Sequence, residues 1–141
     1  MTTIVSMQTA SRSIRRETAA VTQFTPTAGL ERWQVRSIEK LAALAGLAEN
    51  WDSYGSPAIS EGLIDFATHV ISRLVITGVP IPQIVPMHGG GIHLEFTRGA
   101  RDVSIEIAAN GVIDLLSSND DAPSAYEPAD VRSALQWVVA G

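Results

Sequence analysis

The stretch GIHLEFTRGARDVSIEIAANGVIDLLSS, residues 91–118, decides the fold. Ile92, Leu94 and Phe96 alternate with His93, Glu95 and Thr97. Val103, Ile105 and Ile107 then alternate with Asp102, Ser104 and Glu106. A hydrophobic period of two over short consecutive runs is the pattern of half-buried β-strands. Glycine- and asparagine-containing turns separate the runs. The spacing predicts strands over 92–98, 102–108 and 112–118. A shorter run at 84–87 comes before them, and its Pro86 suits an edge strand. Strands that follow one another through short turns form an antiparallel meander.

The turns also suggest registers. Slipping a strand by one residue moves every apolar side chain to the wrong face, so the inward sets must stay in phase. A two-residue turn at Ala100-Arg101 pairs Gly99 with Asp102, Thr97 with Ser104, and Glu95 with Glu106. A three-residue turn at Ala109-Asn110-Gly111, with glycine in the left-handed position, pairs Ile107 with Ile113, Ile105 with Leu115, and Glu106 with Asp114. The product is a row, Glu95–Glu106–Asp114, across three strands on one face, flanked by His93 and Thr97. Like charges directly opposed destabilise a sheet. Relief can come from solvent, an arginine such as Arg101, a proton, a metal ion or a basic partner. The row therefore reads as the water-facing side of a half-buried sheet, as an acidic partner-binding face, or as a metal or acid/base site.

Helical periodicity flanks the strands. Leu30, Trp33, Leu41, Leu44, Ala45 and Ala48 share a stripe that predicts a helix over 30–48. Ser60 suits an N-cap for a second helix over 61–77, with Leu63, Phe66, Ala67, Val70 and Leu74 inward. Gly78, Pro80 and Pro82 end it. Pro128 leads into a third helix over 129–140, with Val131, Ala134, Leu135 and Val138 on one face and Trp137 off it. The fold class is α+β: a helix pair, an antiparallel four-strand meander, and a C-terminal helix packed on one face of the sheet. No βαβ alternation is present.

With 141 residues, 45% of them hydrophobic, the chain can bury a real core. Charged residues make up 18%, below the usual share of about 25%, which leaves surface for a partner or for self-association. The absence of cysteine excludes disulfides, Cys-ligated zinc and thiol chemistry. No apolar run reaches membrane-span length, and the N-terminus lacks the apolar core of a secretory signal. The expectation is a cytoplasmic protein with no cofactor and no metal. The net charge of −5 is uneven. The first 40 residues are net basic and the remainder strongly acidic. Residues 1–27 read as a flexible basic arm ahead of one α+β domain over 28–141. Arg12, Arg15 and Arg16 in that arm are candidates for nucleic-acid contact, against the plainer reading of a solvated tail.

Between the first two helices lies Asn50-Trp51-Asp52-Ser53-Tyr54-Gly55-Ser56-Pro57. Two aromatics among turn residues suggest that Trp51 and Tyr54 pin the loop to the core while Asp52 caps local N–H groups. The competing reading is an exposed aromatic contact for a partner. Trp137 packs on a neighbouring element or on another subunit. Met87-His88-Gly89-Gly90-Gly91 is similar to the oxyanion loop of some esterases, but no Gly-x-Ser-x-Gly elbow accompanies it. It reads as a flexible lead into the next strand. His69, His88 and His93 lack zinc-motif spacing, and His93 beside Glu95 suggests a pH-sensitive pair.

The 50–57 loop, Pro-x-Ile-x-Pro at 82–86 and Gly-Gly-Ile-His-Leu-Glu-Phe at 90–96 together resemble a loose group of small bacterial proteins. Those carry a Trp-Asp-x-Tyr-Gly loop after a helix and then a Gly-Ile-x-Leu-Glu-Trp strand. The resemblance covers roughly 40–116, with Phe96 where the group has Trp. It implies a bacterial or phage setting in the cytoplasm, and no catalytic residues carry over. The leading functional expectation is a non-enzymatic protein-interaction module of the antitoxin, immunity or anti-defence kind, with a homo-oligomer also open. Its candidate contacts are Glu95, Glu106, Asp114, His93, Trp51, Tyr54 and Trp137. The alternatives are a metal-dependent or acid/base enzyme using the Glu95/Glu106/Asp114 row, and nucleic-acid binding through the N-terminal arginines.

Overall fold

The structure, a computed structural model, describes residues 29–121 and 126–141. The arm at 1–27, with Arg12, Arg15 and Arg16, lies outside the described residues. The compact unit is Glu31–Gly141. It opens with helix α1 (Arg32–Ala43), one 3-10 turn (Leu44–Gly46) and helix α2 (Glu61–Ser72). Strands β1 (Gln83–Met87), β2 (Gly91–Arg98), β3 (Arg101–Ile107) and β4 (Ile113–Asn119) follow, then helix α3 (Val131–Val139). The sheet is antiparallel in the order β1-β2-β3-β4. This is the α+β architecture that the alternating pattern implies.

The sheet's inner face carries the core. Ile92, Leu94, Phe96, Val103, Ile105 and Ile107 are at most 1% exposed. Each buried side chain of this size contributes roughly 1.5–3 kcal/mol relative to exposure. From α3, Ala134, Leu135 and Val138 pack on this face. Trp33 of α1 meets Phe96 edge-on, with ring centres 6.0 Å apart at 78°, a favoured aromatic geometry.

Both predicted helices of the pair are too long. The chain leaves α1 after Ala43 and turns extended at Leu47, so Ala45 and Ala48 are exposed rather than on the stripe. α2 stops at Ser72, and Leu74, Ile76 and Val79 are buried from an irregular segment instead. The inward face of α2 is Leu63, Ile64, Ala67 and Ile71, while Phe66 is turned outward and partly exposed.

Two polar residues, Gln34 and Ser37, occupy buried positions on α1. The Gln34 amide donates to the Ile71 and Leu74 carbonyls at 2.9 Å each, and its Oε1 accepts from the Glu31 N–H at 2.8 Å. Trp33 Nε1 donates to the Ile76 carbonyl at 3.0 Å. The frayed end of α2 and the segment after it are thus held by side chains of α1. Backbone carbonyls that lack intrahelical partners need such donors when buried.

The β3–β4 register is the predicted one: Ile107 faces Ile113, Ile105 faces Leu115, and Glu106 faces Asp114. The β2–β3 register differs by two residues. Arg98 pairs with Arg101, Thr97 with Asp102, Glu95 with Ser104, and His93 with Glu106. The turn is Gly99-Ala100, not Ala100-Arg101. Gly99 sits at φ +59 while Ala100 does not have positive φ. A two-residue hairpin turn of that form needs glycine at its first central position. A shift of two leaves every side chain on its expected face but changes its neighbour.

Candidate functional site

The face of the sheet opposite the helices is uncovered by any described element. Its central side chains are His93, Glu95, Glu106 and Asp114, with Val85 and Leu116 partly exposed on the two edge strands. The corrected register breaks the three-carboxylate row. Glu95 lies opposite Gln83 and Ser104, whereas Glu106 lies between His93 and Asp114. His93 Nδ1 approaches Glu106 Oε2 at 3.2 Å, so Glu106 meets the histidine on one side and Asp114 on the other. Thr97 hydrogen-bonds Asp102 one step along.

Among the described residues, no lysine or arginine stands on this face. The two arginines nearest in sequence are committed elsewhere. Arg98 donates to the Gly78 carbonyl at 2.7 Å. Arg101, the cation expected to reach the row, instead donates to the Trp137 carbonyl at 2.7 Å, and its guanidinium lies 4.6 Å from the Trp137 ring centre. Trp137 also stacks on Tyr126, with centres 4.7 Å apart and planes 11° apart. It is therefore packed within this chain by Tyr126 and Arg101.

The 50–57 loop is held by Asp52, which caps local N–H groups as the sequence suggests, and not by Tyr54. Tyr54 is 83% exposed and pins nothing. Its ring cannot anchor a loop from which it points away. Trp51 is half-buried and donates Nε1 to the Pro57 carbonyl at 3.0 Å. The anchor is polar. Asp52 Oδ1 accepts from the Tyr54 and Ser56 N–H groups at 2.9 and 3.2 Å. Its Oδ2 accepts from the Ser56 hydroxyl at 2.5 Å and from His88 Nδ1 at 2.7 Å. The Gly89 N–H then donates to Ser56 Oγ at 2.9 Å. Partial desolvation acts to raise the Asp52 carboxyl, but these bonds outweigh it. The Ser56 hydroxyl leads, then His88 and the two backbone N–H groups, and together they hold Asp52 well below the usual carboxylate range.

His88 is not legible as a partner of Ser56 and Asp52, because 32 and 36 residues separate it from them. The available signal was the repeated polar spacing Asn50, Asp52, Ser56 in a loop with no obvious partner. The glycines beside His88 are spatially required rather than merely flexible. A Cβ on Gly90 would lie 2.9 Å from Pro57 Cγ, and one on Gly91 would lie 2.6 Å from the Ile107 carbonyl oxygen. The turn can approach both the loop and β3 only without side chains there.

Asp, Ser and His in contact invite a catalytic reading, and the wiring opposes it. A nucleophilic serine gives its proton to histidine, with the carboxylate behind the ring. Here the carboxylate is the hub. Ser56 is 2% exposed and directs its hydroxyl at Asp52. Since Asp52 is ionised, Nδ1 of His88 carries the proton in their bond, leaving Nε2 on an exposed ring. This is a clasp joining the loop to the β1–β2 turn. An open trough of about 490 Å³ lies beyond it, lined by Ser60, Phe66 and Asn110 among others. Ser60 Oγ there already caps the Leu63 N–H, and Asn110 Oδ1 accepts from the Val112 N–H.

Among the described residues, no three of His, Cys, Asp and Glu are grouped as a metal site would need, and no helix is long and apolar enough to cross a membrane. No family model, curated protein or solved structure matches the chain.

Proposed function

We propose that this chain is a small protein-binding module that receives a cationic, partly apolar segment of a partner on the uncovered face of its sheet. One observation carries the reading. Glu106 and Asp114 are directly opposed on adjacent strands, and among the described residues no lysine or arginine stands on their face. Folding alone favours a neutral or cationic residue at one of the two positions. A partner's Arg or Lys resolves the opposition, and Val85 and Leu116 offer apolar contact on either side. An antitoxin, immunity or anti-defence role in a bacterial or phage cytoplasm fits such a module, since those roles consist of occupying another protein.

The acid/base alternative has less support, because Glu95 pairs with Ser104 rather than with Glu106. The test is a titration of isotope-labelled protein with short amphipathic peptides. Cationic peptides should shift the amides of Val85, His93, Glu106 and Leu116, with affinity falling as salt rises. Anionic peptides of equal hydrophobicity should not. Shifts that avoid this face, or that ignore peptide charge, would overturn the proposal.

A further inference from the structure

The two edges of the sheet are built differently. β1 has five residues and contains Pro86, which has no N–H to donate, and Pro80 and Pro82 lie just ahead of it. Short, proline-bearing edges discourage further pairing. β4 has seven residues with no proline, lysine or arginine. The Ala108 N–H donates to the Val112 carbonyl at 2.9 Å, which sets the phase of the β3–β4 ladder. Asp114, Leu116 and Ser118 turn their backbone groups toward β3. Ile113, Leu115, Ser117 and Asn119 turn theirs outward. No described strand pairs with that outward row. Tyr126 lies on the helix side, where its carbonyl accepts from Ser117 Oγ at 2.6 Å.

We propose that β4 of a second copy of this chain occupies this edge, antiparallel about a two-fold axis at Leu116, so that two four-stranded sheets become one continuous sheet. The choice of occupant rests on the self-complementarity of the strand. In a symmetric antiparallel pair, outward-facing residues must oppose outward-facing residues, so the axis must pass through a residue. Centred on Leu116, Leu115 pairs with Ser117, Ile113 with Asn119, and Asp114 with Ser118. All four outward residues of each copy enter the ladder, and no carboxylate faces another. Centred on Asp114, that residue opposes itself. Centred on Ser117, Asp114 opposes Asp120. Centred on Leu115, Asp114 opposes the apolar Leu116. Charge excludes the registers centred on Asp114 and Ser117, and pairing Asp114 with the polar Ser118 rather than with Leu116 favours the one in which the half-exposed Leu116 side chains (52%) pack on each other.

The experiment is light-scattering mass analysis of the full chain across a dilution series. The expected mass is twice the 15.0 kDa of one chain, falling toward one chain on dilution. Leu116→Lys and Leu116→Glu each place like charges at the axis and should weaken the dimer by at least about tenfold, or 1.4 kcal/mol. Mixing the two variants should restore a heterodimer. A parent that is monomeric at every concentration, a Leu116→Lys variant that dimerises as well as the parent, or a mixture that stays monomeric would overturn the proposal. Amide exchange on the parent chain guards against variants that misfold. Leu115 and Ser117 should be protected in the dimer and lose protection on dilution, and fast exchange at dimeric concentrations counts equally against it. None of these readouts depends on peptide binding to the sheet face.

Discussion

Replacing Asp114 should stabilise the fold and weaken the proposed binding, and the two effects can be measured separately. Glu106 and Asp114 are opposed in the ladder, in a hydrogen-bonded pair with Cα atoms about 5.5 Å apart. Two unit charges about 6 Å apart repel by about 0.7 kcal/mol at the dielectric of water. Screening over about 8 Å at physiological salt cuts this roughly in half. Asp114→Asn should therefore gain about 0.3–0.7 kcal/mol, with the larger value at low salt. Asp114→Lys turns repulsion into attraction and should gain about twice as much. His93 Nδ1 lies 3.2 Å from Glu106 Oε2, a contact that every Asp114 variant keeps. The assay is urea unfolding followed by tryptophan fluorescence at low and high salt. The gain should be present at low salt and shrink in concentrated salt. The same variants should lose affinity for cationic peptides. If Asp114→Lys destabilises at low salt, or its gain ignores salt, the opposition is not the unfavourable contact described here.

Gln34→Met keeps the volume of the side chain but removes its donors. Ile71 retains the Arg73 and Leu74 N–H groups as partners, so the Leu74 carbonyl is the group left bare, and a loss of about 1–3 kcal/mol in thermal or urea unfolding is expected. Asp52 has a lowered native value, so its contribution is fully present above the ordinary carboxylate value of about 3.9. That contribution fades as pH falls below that point toward the native value. Unfolding followed downward from about pH 5 should show an acid-induced loss that Asp52→Asn lacks. Gly91→Ala brings a methyl within 2.6 Å of the Ile107 carbonyl oxygen; it should cost about 1–3 kcal/mol by thermal melting, against little change for Gly46→Ala, which meets nothing.

The parts of the fold legible in the sequence are those set by a local period. Alternation placed the two central strands with their side chains on the correct faces, and shorter apolar runs between turn residues marked the first and last. The Gly111 turn gave one register outright, because glycine in the left-handed position fits a three-residue loop and its φ is +88. The other register is not legible from alternation alone, because Gly99 continues the strand in sequence while its missing side chain is what the first turn position requires. The helix ends depart from the periodic pattern for a tertiary reason. Gln34 and Trp33 satisfy carbonyls from Ile71 to Ile76, which lets α2 stop early without burying bare backbone groups, and helical propensity alone does not reveal a donor arriving from another helix. The clasp escaped for a similar reason. An Asp-Ser pair in one loop and a His-Gly pair in another carry no shared period, so only the folded chain brings them together.

A difference in how polar groups are treated separates scaffold from surface in this molecule. Inside, each polar side chain has a matched partner. Gln34 has two carbonyls and an N–H, Ser37 has the Trp33 carbonyl, and Ser56 has Asp52 and the Gly89 N–H. The arginines next to the sheet are likewise directed to carbonyls rather than to carboxylates. A chain that resolves its interior this thoroughly could have turned Arg98 or Arg101 onto the acidic face, or placed Asn at 114. It leaves Glu106 against Asp114 instead. Local conflicts that persist in an otherwise consistent sequence tend to mark function, and here the conflict is one that an incoming cation removes. The dimer inferred through β4 would set two such faces side by side, with Asp114 of each copy beside the Leu116 pair. A partner carrying two cationic segments would then bind more tightly than one carrying either alone, and dilution to the monomer should abolish that advantage while each chain keeps its Glu106–Asp114 pair.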